Sequence, residues 1–98
     1  MDITVQELKQ KLDNGDDFVL IDVREAHEHE AFNVGGQLIP VGSIMNAIPD
    51  LEEHKDEEIV VYCRSGQRSG MAQQLLKASG FSNVSNLQGV MLYWPDTY

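Results

Sequence analysis

A single cysteine, Cys63, stands between the apolar run Ile59-Val60-Val61-Tyr62 and the polar segment Arg64-Ser65-Gly66-Gln67-Arg68-Ser69. Two of the three arginines in the chain, Arg64 and Arg68, belong to that segment, although the protein as a whole is acidic. Cysteine reacts and binds as its thiolate, which forms where neighbours favour negative charge. A cysteine kept only as a small buried hydrophobe gains nothing from a cationic, polar collar. The pattern therefore reads as a reactive nucleophile seated in an anion-binding loop.

The energetic demand on such a loop can be stated. A free thiol titrates near ~8.5, and bringing it to about 6.5 takes roughly 2.7 kcal/mol of preference for the charged form. A helix N-terminus typically contributes ~0.3–1 kcal/mol, and about 2 in favourable geometry. The remainder must come from hydrogen bonds within the loop or from the charges of Arg64 and Arg68. The segment runs directly into a helical pattern, so free N–H groups at the helix start, with others turned inward at a Gly66 bend, can line the cradle. Ser69, in the first helical turn, has a hydroxyl able to reach the sulfur, but we assign it to capping the helix.

The elements that must hold this loop can be read from hydrophobic periodicity. Phe18 to Val23 and Ile59 to Tyr62 are near-continuous, β-branched-rich runs of the length expected for strands buried on both faces. Cys63 thus follows a strand directly, where α/β sheets place their ligands. Thr4-Val5-Gln6-Glu7 reads as a capping box opening an amphipathic helix on Val5, Leu8 and Leu12 that stops at Asn14-Gly15. Glu25 to Phe32 reads as a helical turn or two, Gly35-Gly36 as a bend, and Leu38 to Val41 as a short strand. Ser43 to Leu51 reads as helical pieces interrupted by Pro49. After the cysteine loop, Met71, Ala72, Leu75, Leu76 and Ala78 mark the apolar side of a helix ended by Gly80. Phe81 to Leu87 then returns the chain to the sheet. Strands alternating with helices imply a parallel sheet covered on both faces and joined by right-handed crossovers.

The whole sequence of 98 residues reads as one domain spanning 1–98, with 42% hydrophobic and 23% charged residues, as in ordinary globular chains. A formal net charge of −9 repels phosphate backbones and anionic bilayers, so neither nucleic acid nor a membrane is an expected partner. One cysteine excludes an internal disulfide framework, and the N-terminus lacks the basic and apolar regions of a signal peptide. A cytoplasmic protein is expected.

Taken together, Leu20-Ile21-Asp22-Val23-Arg24-Glu25, Val60-Val61-Tyr62-Cys63-Arg64-Ser65-Gly66-Gln67-Arg68-Ser69, Gly80-Phe81-Ser82-Asn83-Val84, and Asn86-Leu87-Gln88-Gly89 through Trp94 resemble a single-domain rhodanese over nearly the whole chain. The resemblance implies a three-layer α/β/α fold around a five-stranded, mostly parallel sheet. It also implies a sulfurtransferase, with Cys63 carrying sulfane sulfur as a persulfide. The donor would be a small anion such as thiosulfate or another persulfide, and the acceptor a thiol, cyanide or a protein. Arg64 to Ser69 would form the substrate-binding loop, with Arg64 or Arg68 holding the departing sulfite. Neither a cofactor nor a metal is required. Asp22 and Arg24 are expected to support the site as a structural ion pair.

The chain departs from the family pattern at Phe32 to Pro40, where a Gly-His-Ile-Pro-Gly-Ala segment is common, and at Val90, where a second glycine often follows Gly89. Other features have simpler readings. His27 and His29 stand at i, i+2, the wrong spacing for two metal ligands on one helix face. Glu52 to Glu58 reads as a solvated charge run, and Met71, Tyr93 and Trp94 as packing residues. Two other functions remain open: a sulfur-carrier or interaction module acting only with a partner protein, and a cysteine-dependent phosphatase or arsenate reductase. The spacer between Cys63 and Arg68 is one residue shorter than in the common phosphatase loop, which suits a sulfur atom better than a tetrahedral phosphoryl group.

Overall fold

The computed structural model describes residues 2–87. In chain order the elements are β1 (Asp2–Ile3), α1 (Val5–Asn14), β2 (Val19–Asp22), α2 (Ala26–Ala31), β3 (Gln37–Leu38), α3 (Ile44–Leu51), β4 (Ile59–Tyr62), α4 (Gln67–Ala78) and β5 (Val84–Leu87), with single 3-10 turns at Val41–Ser43 and Glu52–His54. The strands form one sheet in the order β1-β5-β4-β2-β3, and every neighbouring pair is parallel. The sheet is thus all-parallel rather than mostly so. Among the described residues no helix is long and apolar enough to cross a membrane.

Side-chain alternation along the strands divides the core into two layers. Leu20, Val60, Tyr62 and Leu87 pack with Val5 and Leu8 of α1 on one face. Ile21, Ile59, Val61 and Val84 pack with Ile44 and Leu51 of α3 and with Ala72 and Leu76 of α4 on the other. Cys63, two residues beyond Val61, points to the α3/α4 face as well. Both faces are covered, as the unbroken apolar runs of β2 and β4 require.

The local signals act where their chemistry predicts. Thr4 accepts from the Glu7 N–H while the Glu7 carboxylate accepts from the Thr4 N–H, completing the capping box of α1. At the end of α4, the Phe81 N–H reaches Leu76 O and the Gly80 N–H reaches Lys77 O, a Schellman closure that turns Phe81 into the core. At Gly36, φ is +90° and a Cβ would lie 2.5 Å from Leu20 O, so the bend closes against β2 only without a side chain.

Three sequence expectations need correction, and one element was not anticipated. Pro49 does not interrupt α3, because losing one backbone donor is offset by the buried anchors Ile44 and Leu51 on either side of it. The segment after Gly36 pairs with β2 only at Gln37–Leu38, after which Val41 begins a 3-10 turn. Met71 is 60% exposed, since the buried stripe of α4 runs through Ser69, Ala72, Gln73 and Leu76. The first strand, only two residues long, carries too little pattern to be seen in the sequence. Gln88, Gly89, Val90, Tyr93 and Trp94 lie outside the described residues.

Candidate active site

Strand order locates the site before any side chain is considered. From β2 the chain proceeds to β3 on one side, whereas from β4 it proceeds to β5 on the other. The segments leaving the adjacent carboxyl ends of β2 and β4 therefore diverge, and ligands of open α/β sheets bind at such a switch point. Asp22 pairs in register with Tyr62, so Val23-Arg24 and Cys63-Arg64 leave the sheet side by side.

The loop after β4 wraps its own sulfur. Gly66 is the N-cap of α4 with φ at +101°, a left-handed conformation that glycine adopts without strain. Its carbonyl accepts from the Gly70 N–H at 2.9 Å to begin the helix, while its own N–H turns back to Cys63 Sγ at 3.0 Å. Ser69, at the third helical position, has no carbonyl four residues back within the helix, and its N–H points at the same sulfur at 3.4 Å. The Ser69 hydroxyl lies 3.3 Å from Sγ. Two free donors of the helix start and one hydroxyl thus converge on an atom that is 0% exposed. Burial pushes the Cys63 thiol up, but hydrogen bonds from the Ser69 hydroxyl and from the N–H groups of Ser69, Gly66 and Ser65 outweigh it, and the net direction is down.

This geometry overturns the assignment of Ser69 to capping. Gly66 is the cap, so Ser69 stands three positions too far along and its hydroxyl faces the sulfur and Asn86 instead. Gln67, the first residue of α4, is exposed.

The two arginines of the loop diverge. Arg64 is exposed and forms no ion pair among the described residues. Arg68 is held in a two-pronged pair by Glu28 of α2, at 2.7 and 2.9 Å. That bond is the chief reason the Glu28 carboxyl is held down at about 2, and Glu28 in turn keeps the guanidinium above its usual value. The pair takes two of the five guanidinium N–H donors and matches the charge, so Arg68 would meet an anion only through the donors that remain. Glu28 also accepts from the Glu25 N–H at 3.0 Å, so the same side chain caps α2 and ties it to α4.

Asp22 and Arg24 are brought together as expected, and more completely. Asp22, 0% exposed, accepts from Arg24 Nε at 2.9 Å and Nη2 at 2.8 Å, and from the Arg24 N–H at 2.9 Å. His29 Nδ1 lies 2.8 Å from the same carboxylate, and Arg24 also donates to Phe32 O at 2.6 Å. Burial pushes the Asp22 carboxyl up, but the bonds from Arg24 and His29 prevail and hold it below its usual range. The network fastens the end of β2 to the C-terminal end of α2. Tyr62 completes the floor: its hydroxyl donates to Gly35 O at 2.9 Å and accepts from the Val34 N–H at 3.3 Å, securing the bend before β3.

Comparison with known proteins agrees with the architecture. Residues 4–96 match the family described as Rhodanese-like domain. The chain belongs to the rhodanese-like family. A protein of Allochromatium vinosum named "Sulfurtransferase" is 34% identical over 99 residues, covering 95% of this chain and 86% of its own length. YrkF of Bacillus subtilis, to which a sulfur-carrier function is ascribed, is 35% identical over 94 residues, or 95% of this chain. This chain spans only 50% of YrkF, and 24% of MoeZ from Mycobacterium tuberculosis. Among solved structures, the human single-domain sulfurtransferase TSTD1 superposes with a TM-score of 0.82 at 25% identity, covering 95% of this chain and 93% of that one. Rhodanese-like relatives therefore include both sulfurtransferases and a sulfur carrier.

Sequence reasoning missed Glu28, His29, Tyr62 and Asn86 as partners of the site. Glu28 carries a signal in hindsight, since Glu25 and Glu28 have capping-box spacing. Asn86 carries one too: it occupies an inward-facing position on β5, two residues after the buried Val84, where an apolar residue is the ordinary choice.

Proposed function

We propose that this rhodanese-like protein is a sulfurtransferase that moves sulfane sulfur through a persulfide on Cys63. The observation that carries the reading is the convergence of the Gly66 and Ser69 N–H groups and the Ser69 hydroxyl on Cys63 Sγ. Such a cradle favours the thiolate before reaction. It can also accommodate the negative terminal sulfur afterwards, since both are compact anions facing fixed donors.

In the first half-reaction the thiolate attacks the outer sulfur of thiosulfate or of another persulfide. The new Sγ–S bond forms as the donor's S–S bond breaks, and sulfite or a thiolate leaves with the bonding pair. With Arg68 engaged by Glu28, the exposed Arg64 is the loop cation available to meet a departing anion. In the second half-reaction cyanide, a thiol or an acceptor protein takes the outer sulfur, and the electron pair returns to Cys63 as thiolate. Thiosulfate is the simplest small donor of this class. The lone free thiol and the acidic surface suit a reducing, cytoplasmic setting.

Loading with thiosulfate tests the proposal. Intact-protein mass spectrometry should show addition of one sulfur atom, removed by reductant and absent from Cys63→Ser; a parent protein that stays unmodified by thiosulfate and by persulfide donors overturns it. A sulfur-carrier role that depends on a partner is favoured by one observation, the similarity to YrkF, of which this chain spans half. Sustained thiosulfate-to-cyanide turnover by the chain alone supports the autonomous enzyme. Exchange seen only with a partner supports the carrier. Phosphatase chemistry is disfavoured by the spacer between Cys63 and Arg68, one residue shorter than in the common phosphatase loop.

A further inference from the structure

The Ser69 hydroxyl has one proton and two acceptors. Its oxygen lies 3.3 Å from Cys63 Sγ and 2.5 Å from Asn86 Oδ1. A hydroxyl donates a single hydrogen bond, so it cannot serve both at once. The shorter contact is to Asn86. With the proton there, the Ser69 oxygen presents lone pairs to the sulfur, an arrangement that suits the S–H of the neutral thiol and opposes the thiolate.

Asn86 is not free to turn away. Its Nδ2 donates to Gly66 O at 3.1 Å, the carbonyl that opens α4, and this fixes which end of the amide is the acceptor facing Ser69. A Cβ on Gly70 would meet the same Nδ2 at 3.4 Å, so the amide is also closely abutted by the helix. On β5, Asn86 pairs in register with Val61 and so lies on the same sheet face as Cys63, two residues beyond Val61 and just past the end of β4. The amide is thereby wedged between the strand and the first turn of the helix that donates to the sulfur.

We propose that Asn86 is a positioning residue that competes with Cys63 Sγ for the Ser69 hydroxyl proton, so that the hydroxyl swings to the sulfur only in its anionic state and returns to Asn86 when the charge leaves Sγ. The proposal rests on Cys63 as the working nucleophile. On ionisation the S–H bond breaks, its proton passes to solvent and the electron pair stays on sulfur. The Ser69 O–H then rotates from Asn86 Oδ1 to Sγ. When the outer sulfur is bound, the negative charge moves out to that atom, Sγ becomes a poor acceptor, and the hydroxyl rotates back. Asn86 thus tempers the resting thiol and gives the hydroxyl a partner during the half of the cycle in which Sγ is uncharged. Among the described residues, the charged group whose interaction reaches Cys63 is Arg68 on α4, itself held by Glu28 from α2, and the variants below leave both in place.

A double-mutant cycle on thiol ionisation reads the competition. The chain has one cysteine, so ultraviolet thiolate absorbance reports Cys63 below about pH 9, where its three tyrosines stay neutral. Ser69→Ala should lower the thiolate fraction at neutral pH about threefold in the parent, where part of the bond's value is offset by the loss of the Asn86 contact. In an Asn86→Ala background, where the hydroxyl has no competing acceptor, the same substitution should lower it about tenfold or more. Equal effects in the two backgrounds, or a smaller effect in Asn86→Ala, overturn the proposal. Should Asn86→Ala not fold by circular dichroism, Asn86→Val, suited to a strand, completes the cycle with the same expectation. Because the readout is ionisation and not sulfur transfer, its failure is separable from failure of thiosulfate loading, which would refute the proposed function instead.

Discussion

Replacing Asp22 distinguishes a structural from a catalytic role for the charged pair beneath the site. Its carboxylate takes two bonds from the Arg24 guanidinium, at 2.9 and 2.8 Å, one from the Arg24 backbone, and a contact with His29 at 2.8 Å. Asp22→Ala leaves the Arg24 side chain, only 6% exposed, without its counterion. Removing one partner of such a buried pair costs roughly 3–5 kcal/mol, mostly as the desolvation of the charge left behind. A domain of this length is stable by about 5–15 kcal/mol, so the loss is a large fraction of the total. At ~4–8 °C per kcal/mol, the melting temperature should fall by at least about 12 °C. Asp22→Leu combined with Arg24→Met removes both charges and should recover much of that loss, because no uncompensated ion remains. Thermal and urea denaturation followed by circular dichroism measure both. A single variant melting within about 4 °C of the parent refutes the argument. So does a double variant no more stable than the single one. Sulfur transfer per folded molecule should stay within about threefold of the parent in the double variant, since neither side chain touches Sγ. The pH dependence has a definite sign. The folded-state value of Asp22 is depressed, so its contribution is complete above the unfolded value near ~3.9 and disappears as pH falls through the lower folded value.

Glu28 obeys the same linkage with a milder magnitude. Its carboxyl is held at about 2 by Arg68, so the stability difference between parent and Glu28→Gln should be full above pH ~4.3 and shrink as pH falls toward 2. Because the Arg68 side chain is 34% exposed, solvent screening limits that difference to about 1 kcal/mol, and acid titration of urea midpoints should show it. A difference independent of pH would refute the assignment. Gly36→Ala must place a methyl group 2.5 Å from a backbone oxygen at a φ of +90°, and urea denaturation should show a loss of more than ~2 kcal/mol. A change below about 0.5 kcal/mol would show that the bend relaxes freely.

Much of the architecture is local and therefore legible. The β-branched runs of β2 and β4, the capping box at Thr4 and the glycine closure at Gly80 each encode an element through interactions spanning a few residues. The donor cradle around the thiol is legible for the same reason: a cysteine, a glycine and the start of a helix within seven residues form it almost by themselves. The two-residue strand β1 is not, and β3 is legible only to within a few residues, because their pairing depends on neighbours rather than on their own pattern. Met71 is exposed because the apolar residues of α4 span more than one face and only packing against α3, β4 and β5 selects the buried stripe.

Partner choice is what the tertiary structure alone decided. In the sequence, Arg68 is a cation five positions from a thiol; in the fold, Glu28, distant by 40 residues, takes it in a bidentate pair. Ser69 looks like a cap until Gly66 occupies that position and β5 brings Asn86 to its hydroxyl, across 17 residues. Asp22 and Arg24 announce each other at short range, but His29 and the carbonyl of Phe32 join them only once α2 folds back over β2. Hydrogen-bonding groups promise only a capacity, and which acceptor uses each proton depends on distances of a few ångströms that chain crossings set. The sequence by itself thus determined that Cys63 is a thiol among anion-favouring donors; the fold decided which of those donors reach it and which are already engaged.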